Sequence, residues 1–363
     1  MAARTPEPLP RELSAGSFAR RAGGLVLVGL VVALLISTLP GLDEVRDRFA
    51  NAEPIWLLAL FLLEVASCLS YVVAFRGVFC TRLGWRFSYE IGMAEQGTNV
   101  LVPAGGVGGL ALGAWALRQG GMSADRIARR SVAFFVLTST PNFLCAALFG
   151  LALATGVLPG GGPLILSWAL GGLAVATILL VTLLPRILDH VGPAPARAEE
   201  PEDRRARGGR FIRAAAGTVA DGVHDAAGLL RARQPYALFG AIGYMALDVA
   251  ALGAAFAAFG TTPPFAAFVF AYVIGQLGGL IPLPGGIGGI DGGLIGALTL
   301  YGSPLSQATA AVLAYRVVQL GIPALLGSVA FVQLRRTLTR DEAPAALCEP
   351  FDQPLPVLTL PSR

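Results

Sequence analysis

The chain has 363 residues, 55% of them hydrophobic and 14% charged, with a formal net charge of +4 and a mean hydropathy of +0.67. Soluble globular domains carry about 25% charged residues, so that class is excluded and an integral membrane protein is indicated. All 27 basic residues are arginine, and without lysine there is no Walker A phosphate loop and no ordinary route to ATP hydrolysis.

Residues 1–22 form an N-terminal segment in which Arg20 and Arg21 precede an apolar run, as in a signal peptide. No small-x-small cleavage site follows before Leu39 and Pro40, so residues 23–40 read as an uncleaved first span. Five more stretches are long enough to cross about 30 Å of hydrocarbon: 54–79, 131–157, 163–185, 235–259 and 307–333. Two further apolar regions, 86–117 and 264–301, are each broken by glycines, in Pro103-Ala-Gly-Gly-Val-Gly-Gly109 and Leu283-Pro-Gly-Gly-Ile-Gly-Gly289. Unwound backbone survives in a bilayer only when buried in protein or lining a cavity, so both regions are expected to be re-entrant helical hairpins. The expected fold is therefore an all-α membrane protein with six full spans and two hairpins.

Residues 186–234 hold nine arginines and seven acids, which predicts a partly disordered cytoplasmic loop. Its later part, 211–233, reads as a helix lying on the inner membrane surface. The tail, 335–363, is rich in proline toward its end and is expected to be disordered. Cys68, Cys80, Cys145 and Cys348 form no Cys-x-x-Cys pair and read as small core residues. His190 and His224 have no second metal ligand at a useful spacing, so no metal or cofactor is expected.

Arginine placement sets the expected orientation. With the N-terminus inside, only Arg46 and Arg48 fall in outer loops and Arg316 lies within the last span, leaving 24 arginines on the cytoplasmic side. Both termini are then cytoplasmic, and abundant Ala, Gly and Arg without Lys points to a GC-rich bacterial genome and the bacterial inner membrane. In this topology the first hairpin enters from the cytoplasm and the second from outside, the signature of an inverted repeat. Sequence offsets agree: Pro54 matches Pro235 at 181, Gln96 matches Gln276 at 180, Gly105 matches Gly285 at 180 and Ala133 matches Ala314 at 181. Repeat 1 spans 23–157 and repeat 2 spans 158–334.

A half-helix that begins inside the membrane offers free N–H groups and the positive end of its dipole, which favours an anion. Gly105, Gly106, Gly108 and Gly109, with Gly285, Gly286, Gly288 and Gly289, allow close approach of a phosphodiester, while Gln96, Asn99 and Gln276 add neutral hydrogen bonds. Glycines also permit tight helix packing, and that alternative stays open. Charges embedded in hydrocarbon are costly and usually face a partner or a wet cavity. Glu64 and Asp248 occupy the middle of matching spans and are the candidates for coupling, or for carboxyls that fix helix packing. Asp291 and Arg316 are expected to form an ion pair that either pins the second hairpin or presents Arg316 to a lipid phosphate.

The run Ile281-Pro-Leu-Pro-Gly-Gly-Ile-Gly-Gly-Ile-Asp291, together with Asn99-Val-Leu-Val-Pro-Ala-Gly-Gly106, resembles the membrane portion of the lysylphosphatidylglycerol synthase/flippase family and its stand-alone bacterial relatives, over roughly residues 23–336. The resemblance implies a transmembrane region that moves aminoacylated or other anionic-backbone lipids between leaflets, with amino-acid attachment left to a separate cytoplasmic domain. That family usually has Glu where this chain has Asp291, and an acid or Arg soon after the first glycines, where this chain has Leu110, Ala111, Leu112 and Gly113. Neither the loop nor the tail is long enough for a transferase domain, so the chain is not expected to be an enzyme.

The leading expectation is a flippase-like transporter of an anionic, aminoacylated or isoprenoid-linked lipid, with no nucleic-acid partner. A homo-oligomer or a separate lipid-modifying enzyme would be its protein partner. The alternatives are an accessory scaffold subunit, or a membrane-embedded lipid-modifying enzyme using Glu90 and Glu95 beside the first glycine break.

Overall fold

A computed structural model describes residues 42–102, 107–191, 204–280 and 283–340, Pro344, Ala345 and Cys348, and scattered positions between Arg20 and Thr38. The regular elements among them are helices: α1 (Asp43–Ala50), α2 (Pro54–Phe79), α3 (Trp85–Leu101), α4 (Val107–Gln119), α5 (Ala124–Ala154), α6 (Leu164–Val191), α7 (Arg204–Arg231), α8 (Pro235–Phe259), α9 (Phe265–Gln276), α10 (Gly289–Leu300) and α11 (Leu305–Arg340). Two 3-10 turns, Leu277–Leu280 and Pro284–Gly286, link α9 to α10. Helices are the expected solution for this composition, because each satisfies its own backbone hydrogen bonds within the segment.

Five helices, α2, α5, α6, α8 and α11, are long and apolar enough to cross a membrane. They correspond to five of the expected spans, with α5 beginning earlier and α11 extending at both ends. The remaining expected span, 23–40, falls largely outside the described residues. Helices α3, α4, α9 and α10 have 17, 13, 12 and 12 residues. At 1.5 Å per residue they reach about 18 to 26 Å, short of the ~30 Å hydrocarbon core.

Two ends of the helical body can be told apart by their chemistry. At one end, Arg76 lies over the rings of Trp85 and Tyr236, Arg130 meets Asp225, and Ala345 N–H donates to Gly120 O at 2.7 Å. This arginine-rich end gathers the C-termini of α2, α4 and α7 and the N-termini of α3, α5 and α8. At the other end, Arg48 donates to Phe259 O at 2.8 Å, Ser306 Oγ donates to Glu44 at 2.8 Å, and Ser167 Oγ meets Tyr301 Oη at 2.7 Å. Accordingly α3 and α4 begin and end at the first face, while α9 and α10 begin and end at the second. The second glycine turn reaches α3 between the faces, where a Cβ on Gly285 would lie 3.5 Å from Val100 O.

Small residues decide how closely the helices approach. A Cβ on Gly77 would fall 2.3 Å from Ala237 N, and one on Gly240 2.3 Å from Ala74 N, so α2 and α8 meet backbone to backbone. A Cβ on Gly97 would fall 2.9 Å from Gly327 Cα, which brings α3 against α11, and one on Gly150 2.7 Å from the Phe270 ring, which brings α5 against α9. Each hairpin thus leans on the long helix that follows the other. Both long helices carry an internal proline, Pro141 in α5 and Pro323 in α11, tolerated in membrane helices because neighbours satisfy the freed backbone groups.

Three expectations are corrected. Cys80 and Cys348, read from the sequence as isolated core residues, form a disulfide across 268 residues; their proximity arises from the docking of the tail and has no local sequence signal. Cys68 and Cys145 remain free. This disulfide lies at the arginine-rich end, which charge placement assigns to the cytoplasm, a compartment where disulfides are uncommon. The described part of the tail is packed, with Ala345 and Cys348 buried. In the loop, α7 is longer than expected and docks on α5, where a Cβ on Gly222 would lie 2.4 Å from Val132 Cβ. A helix merely lying on a membrane surface would not require this glycine.

Candidate functional site

At the centre, α8 contributes Asp248 to a surface shared with α2, α9 and α11. Its Oδ2 accepts from Tyr272 Oη at 2.5 Å, its Oδ1 accepts from Tyr315 Oη at 2.6 Å, and Gln319 Nε2 lies 3.3 and 3.4 Å from the two oxygens. Gln276 also meets the Tyr272 hydroxyl. Opposite, the Glu64 carboxyl faces that of Asp248. Cys68 Sγ approaches Glu64 Oε1 at 3.8 Å, and Oε2 is buried. The two acids read from the sequence as lying in the middle of their spans come together. Two carboxyls side by side in an apolar setting repel when both are ionised, so their charge state is sensitive to protons and to any cation or donor that enters.

One turn from this carboxyl pair, Arg316 is only 4% exposed. Its Nε donates to Asp291 Oδ1 at 2.7 Å, Nη1 donates to Gln319 Oε1, and Nη2 donates to the carbonyl of Gly285. Gln319 in turn bonds to the Tyr315 hydroxyl, so the Arg316 group and the Asp248 group form one continuous network. Asp291 also caps α10, because its Oδ2 accepts from Gly288 N–H at 2.6 Å. The expected ion pair is present, and it fastens the second glycine turn to α11. The half-helix N-terminus where the sequence places a lipid phosphate is held here by the protein's own carboxylate. A buried pair of this kind is strongly destabilised when one partner is removed.

Positive φ at Gly285 (58°), Gly286 (65°) and Gly288 (85°) explains why this turn needs glycine. The turn is bordered by exposed apolar side chains, Leu277, Leu280 and Leu283, with Leu280 81% exposed. A polar, charged interior therefore lies beside an exposed apolar surface. Gly289 lies tightly against Gly278, where a Cβ would meet Gly289 O at 2.1 Å.

The first glycine motif is built differently. Gly105 and Gly106 fall outside the described residues. Gly109 N–H donates to Asn99 Oδ1 at 2.8 Å, so a neutral amide caps the start of α4 where a carboxylate caps α10. Gln96, expected to face a substrate, is buried and donates to Cys68 O at 3.2 Å and Gly92 O at 3.4 Å, tying α3 to α2. Glu95 accepts from Tyr71 Oη at 2.9 Å, and its side chain fills the space beside Gly113. Glu90 is held by Arg86 at 2.9 Å. The two acids considered for an enzymatic role therefore have separate partners and do not converge.

The sequence does not single out Tyr71, Tyr272, Tyr315 and Gln319. A signal for two of them exists: Tyr71 and Glu95, and Asp248 and Tyr272, are each separated by 24 residues. One pair bridges α2 to α3 and the other α8 to α9, with acid and tyrosine exchanged.

Comparison with known proteins agrees with this architecture. A family model described as the lysylphosphatidylglycerol synthase TM region matches residues 23–327. A UPF0104 membrane protein from Methanothermobacter thermautotrophicus (strain Delta H) is 32% identical over 102 residues, covering 28% of this chain and 29% of that protein. The matched stretch is therefore under a third of that relative's length.

Proposed function

The chain belongs to the lysylphosphatidylglycerol synthase TM-region family, a membrane-protein family linked to lipid handling, and on that premise we propose that it is a flippase-like transporter. Its substrate would be an anionic, aminoacylated or isoprenoid-linked lipid moved between leaflets. The observation that carries this reading is the continuity between the buried Asp248–Tyr315–Gln319–Arg316 network and a glycine turn edged by exposed leucines. A headgroup has polar partners in the network while acyl chains stay outside.

In this reading Arg316 is the anion acceptor and Asp291 its resident substitute. A lipid phosphate exchanging for the Asp291 carboxylate would free Gly288 N–H and release the turn, which links binding to movement of the second hairpin. Glu64 and Asp248 would be the coupling pair, responding to the same change through Gln319. The matching offsets and the opposed entry of the two hairpins support an inverted-topology repeat, in which rocking of one half against the other alternates access to a midplane site. The arginine-rich end would face the bacterial cytoplasm.

The test is a leaflet-exchange assay with reconstituted full-length protein and fluorescent phosphatidylglycerol, isoprenoid-linked lipid and phosphatidylcholine. Exchange of an anionic lipid is expected to exceed that of phosphatidylcholine, and Asp248→Asn, which keeps the shape but alters the carboxyl network, is expected to slow it by about tenfold or more. No acceleration of any lipid over protein-free vesicles would sink the proposal.

A further inference from the structure

At the arginine-rich end, away from the central network, lies a cavity of about 360 Å³ lined by Arg82, Arg126, Arg130, Thr81, Gln234 and the Cys80–Cys348 pair, among others. Among the described residues, no acidic side chain lines it. Its size is that of a small-molecule site. The positive charge is maintained against local preference, because Arg126, Arg129 and Arg130 stand in the first two turns of α5. There the helix dipole is positive and favours acids, and Asp125 is the acid of the first turn. Asp125 is taken by Arg129 at 3.2 Å, and Arg130 is steadied by Val78 O at 3.2 Å and by Asp225 at 3.4 Å.

The other donors fit the same chemistry. Gln234 uses its Oε1 to accept from Tyr236 N–H at 2.9 Å, which leaves the amide nitrogen as the donor end, and Thr81 adds a hydroxyl. Guanidinium groups with neutral N–H and O–H donors form a receptor for a phosphate oxyanion, in which a bound phosphate would share Arg130 with Asp225. Two residues along from Gln234, Tyr236 is 40% exposed, and Trp85 beside it is 49% exposed. Their rings meet edge to face at 5.7 Å with Arg76 over both. Exposed Trp and Tyr at one level of a membrane protein mark the headgroup region.

We propose that this cavity is a second, peripheral site that binds a phosphate monoester or diester, supplied by the headgroup of an anionic membrane lipid. It does not depend on the transport reading: it holds lipid or phosphate at the surface, whether or not the central site moves anything. Its wall includes the disulfide that fastens Cys348 of the tail to the end of α2, so a bound phosphate would bridge α2, α5, the start of α8 and the tail.

The full chain in detergent would be titrated with phosphatidylglycerol, phosphatidylcholine or inorganic phosphate and read by native mass spectrometry. Phosphatidylglycerol is expected to bind about tenfold more tightly than phosphatidylcholine. Thr81→Asp, which brings a carboxylate to the cavity at an exposed position, is expected to remove that preference, while Thr81→Asn keeps it and Arg82→Gln weakens it. Displacement of phosphatidylglycerol by inorganic phosphate supports phosphate as the group recognised. Binding of inorganic phosphate alone, lost in Thr81→Asp, would keep the site and make a free anion its source. Equal binding of both lipids by the wild-type protein with no phosphate binding, or binding unchanged in Thr81→Asp and Arg82→Gln, would overturn it. Asp248→Asn protein is expected to retain this binding, which separates the outcome from any loss of transport.

Discussion

The two glycine-broken helix pairs, α3 with α4 and α9 with α10, share a rule, yet they are stabilised by different chemistry. In each, a tyrosine–carboxyl bond across 24 residues joins the preceding long helix to the short helix before the glycine break: Tyr71 to Glu95 between α2 and α3, Tyr272 to Asp248 between α8 and α9. In each, a glycine N–H beside the break is capped by a side chain. The first half does this with the neutral Asn99 and leaves Glu95 enclosed beside Gly113. The second uses Asp291, balances it with Arg316, and connects that pair through Gln319 to Asp248. A neutral cap has no electrostatic reason to exchange with an anion, whereas a carboxylate held by a buried arginine does. The first hairpin reads as a fixed strut and the second as a latch.

The sharpest way to break this contrast is to remove one side of the latch. Arg316→Gln leaves Asp291 without its cation and is expected to cost about 3 kcal/mol, the scale for an orphaned buried charge. Adding Asp291→Asn should recover much of that stability without restoring lipid exchange. Denaturation in detergent micelles measures the first effect and the leaflet assay the second; equal stability of the single and double variants would show that the pair is not coupled.

A smaller effect separates the two tyrosines. Tyr71→Phe and Tyr272→Phe each remove one hydroxyl from a buried carboxyl and should cost about 1 to 2 kcal/mol. Only Tyr272→Phe is expected to slow exchange, so parallel loss in both variants would make the two hairpins functionally equal. A further comparison, with effects of opposite sign, concerns glycine. Gly285→Ala demands φ near +58° and places a Cβ 2.6 Å from Leu320 Cδ2, costing about 1 to 2 kcal/mol. Gly108→Ala sits in α4 with its nearest neighbours at an ordinary 3.4 Å and should be neutral or stabilising by about 0.5 kcal/mol. Melting temperatures of the two variants check both signs.

Much of the architecture was legible because it follows from composition and local order. Apolar length located five of the long helices, glycine breaks separated α3 from α4 and α9 from α10, and the pairing of Asp291 with Arg316 followed from the expense of isolated charge in hydrocarbon. Glu64 and Asp248 were legible as candidates from their place in the middle portions of two apolar spans. The aromatic hydroxyls were not, because a tyrosine in an apolar helix looks the same whether it packs or donates. Gln96 was misleading for the reverse reason: its amide serves the α2–α3 contact at Cys68 O, and a polar residue beside a glycine motif does not reveal which way it turns.

By itself the sequence determined the membrane class, the helix set and the family, since each rests on hydrophobic length, backbone self-satisfaction or a contiguous motif. Only the tertiary structure decided that Cys348 reaches Cys80, that α7 docks on α5, that three arginines line one cavity, and that Asp291 caps the half-helix proposed for a lipid phosphate. Those facts depend on residues brought together from distant positions by close glycine-mediated packing, and no local pattern along the chain records them.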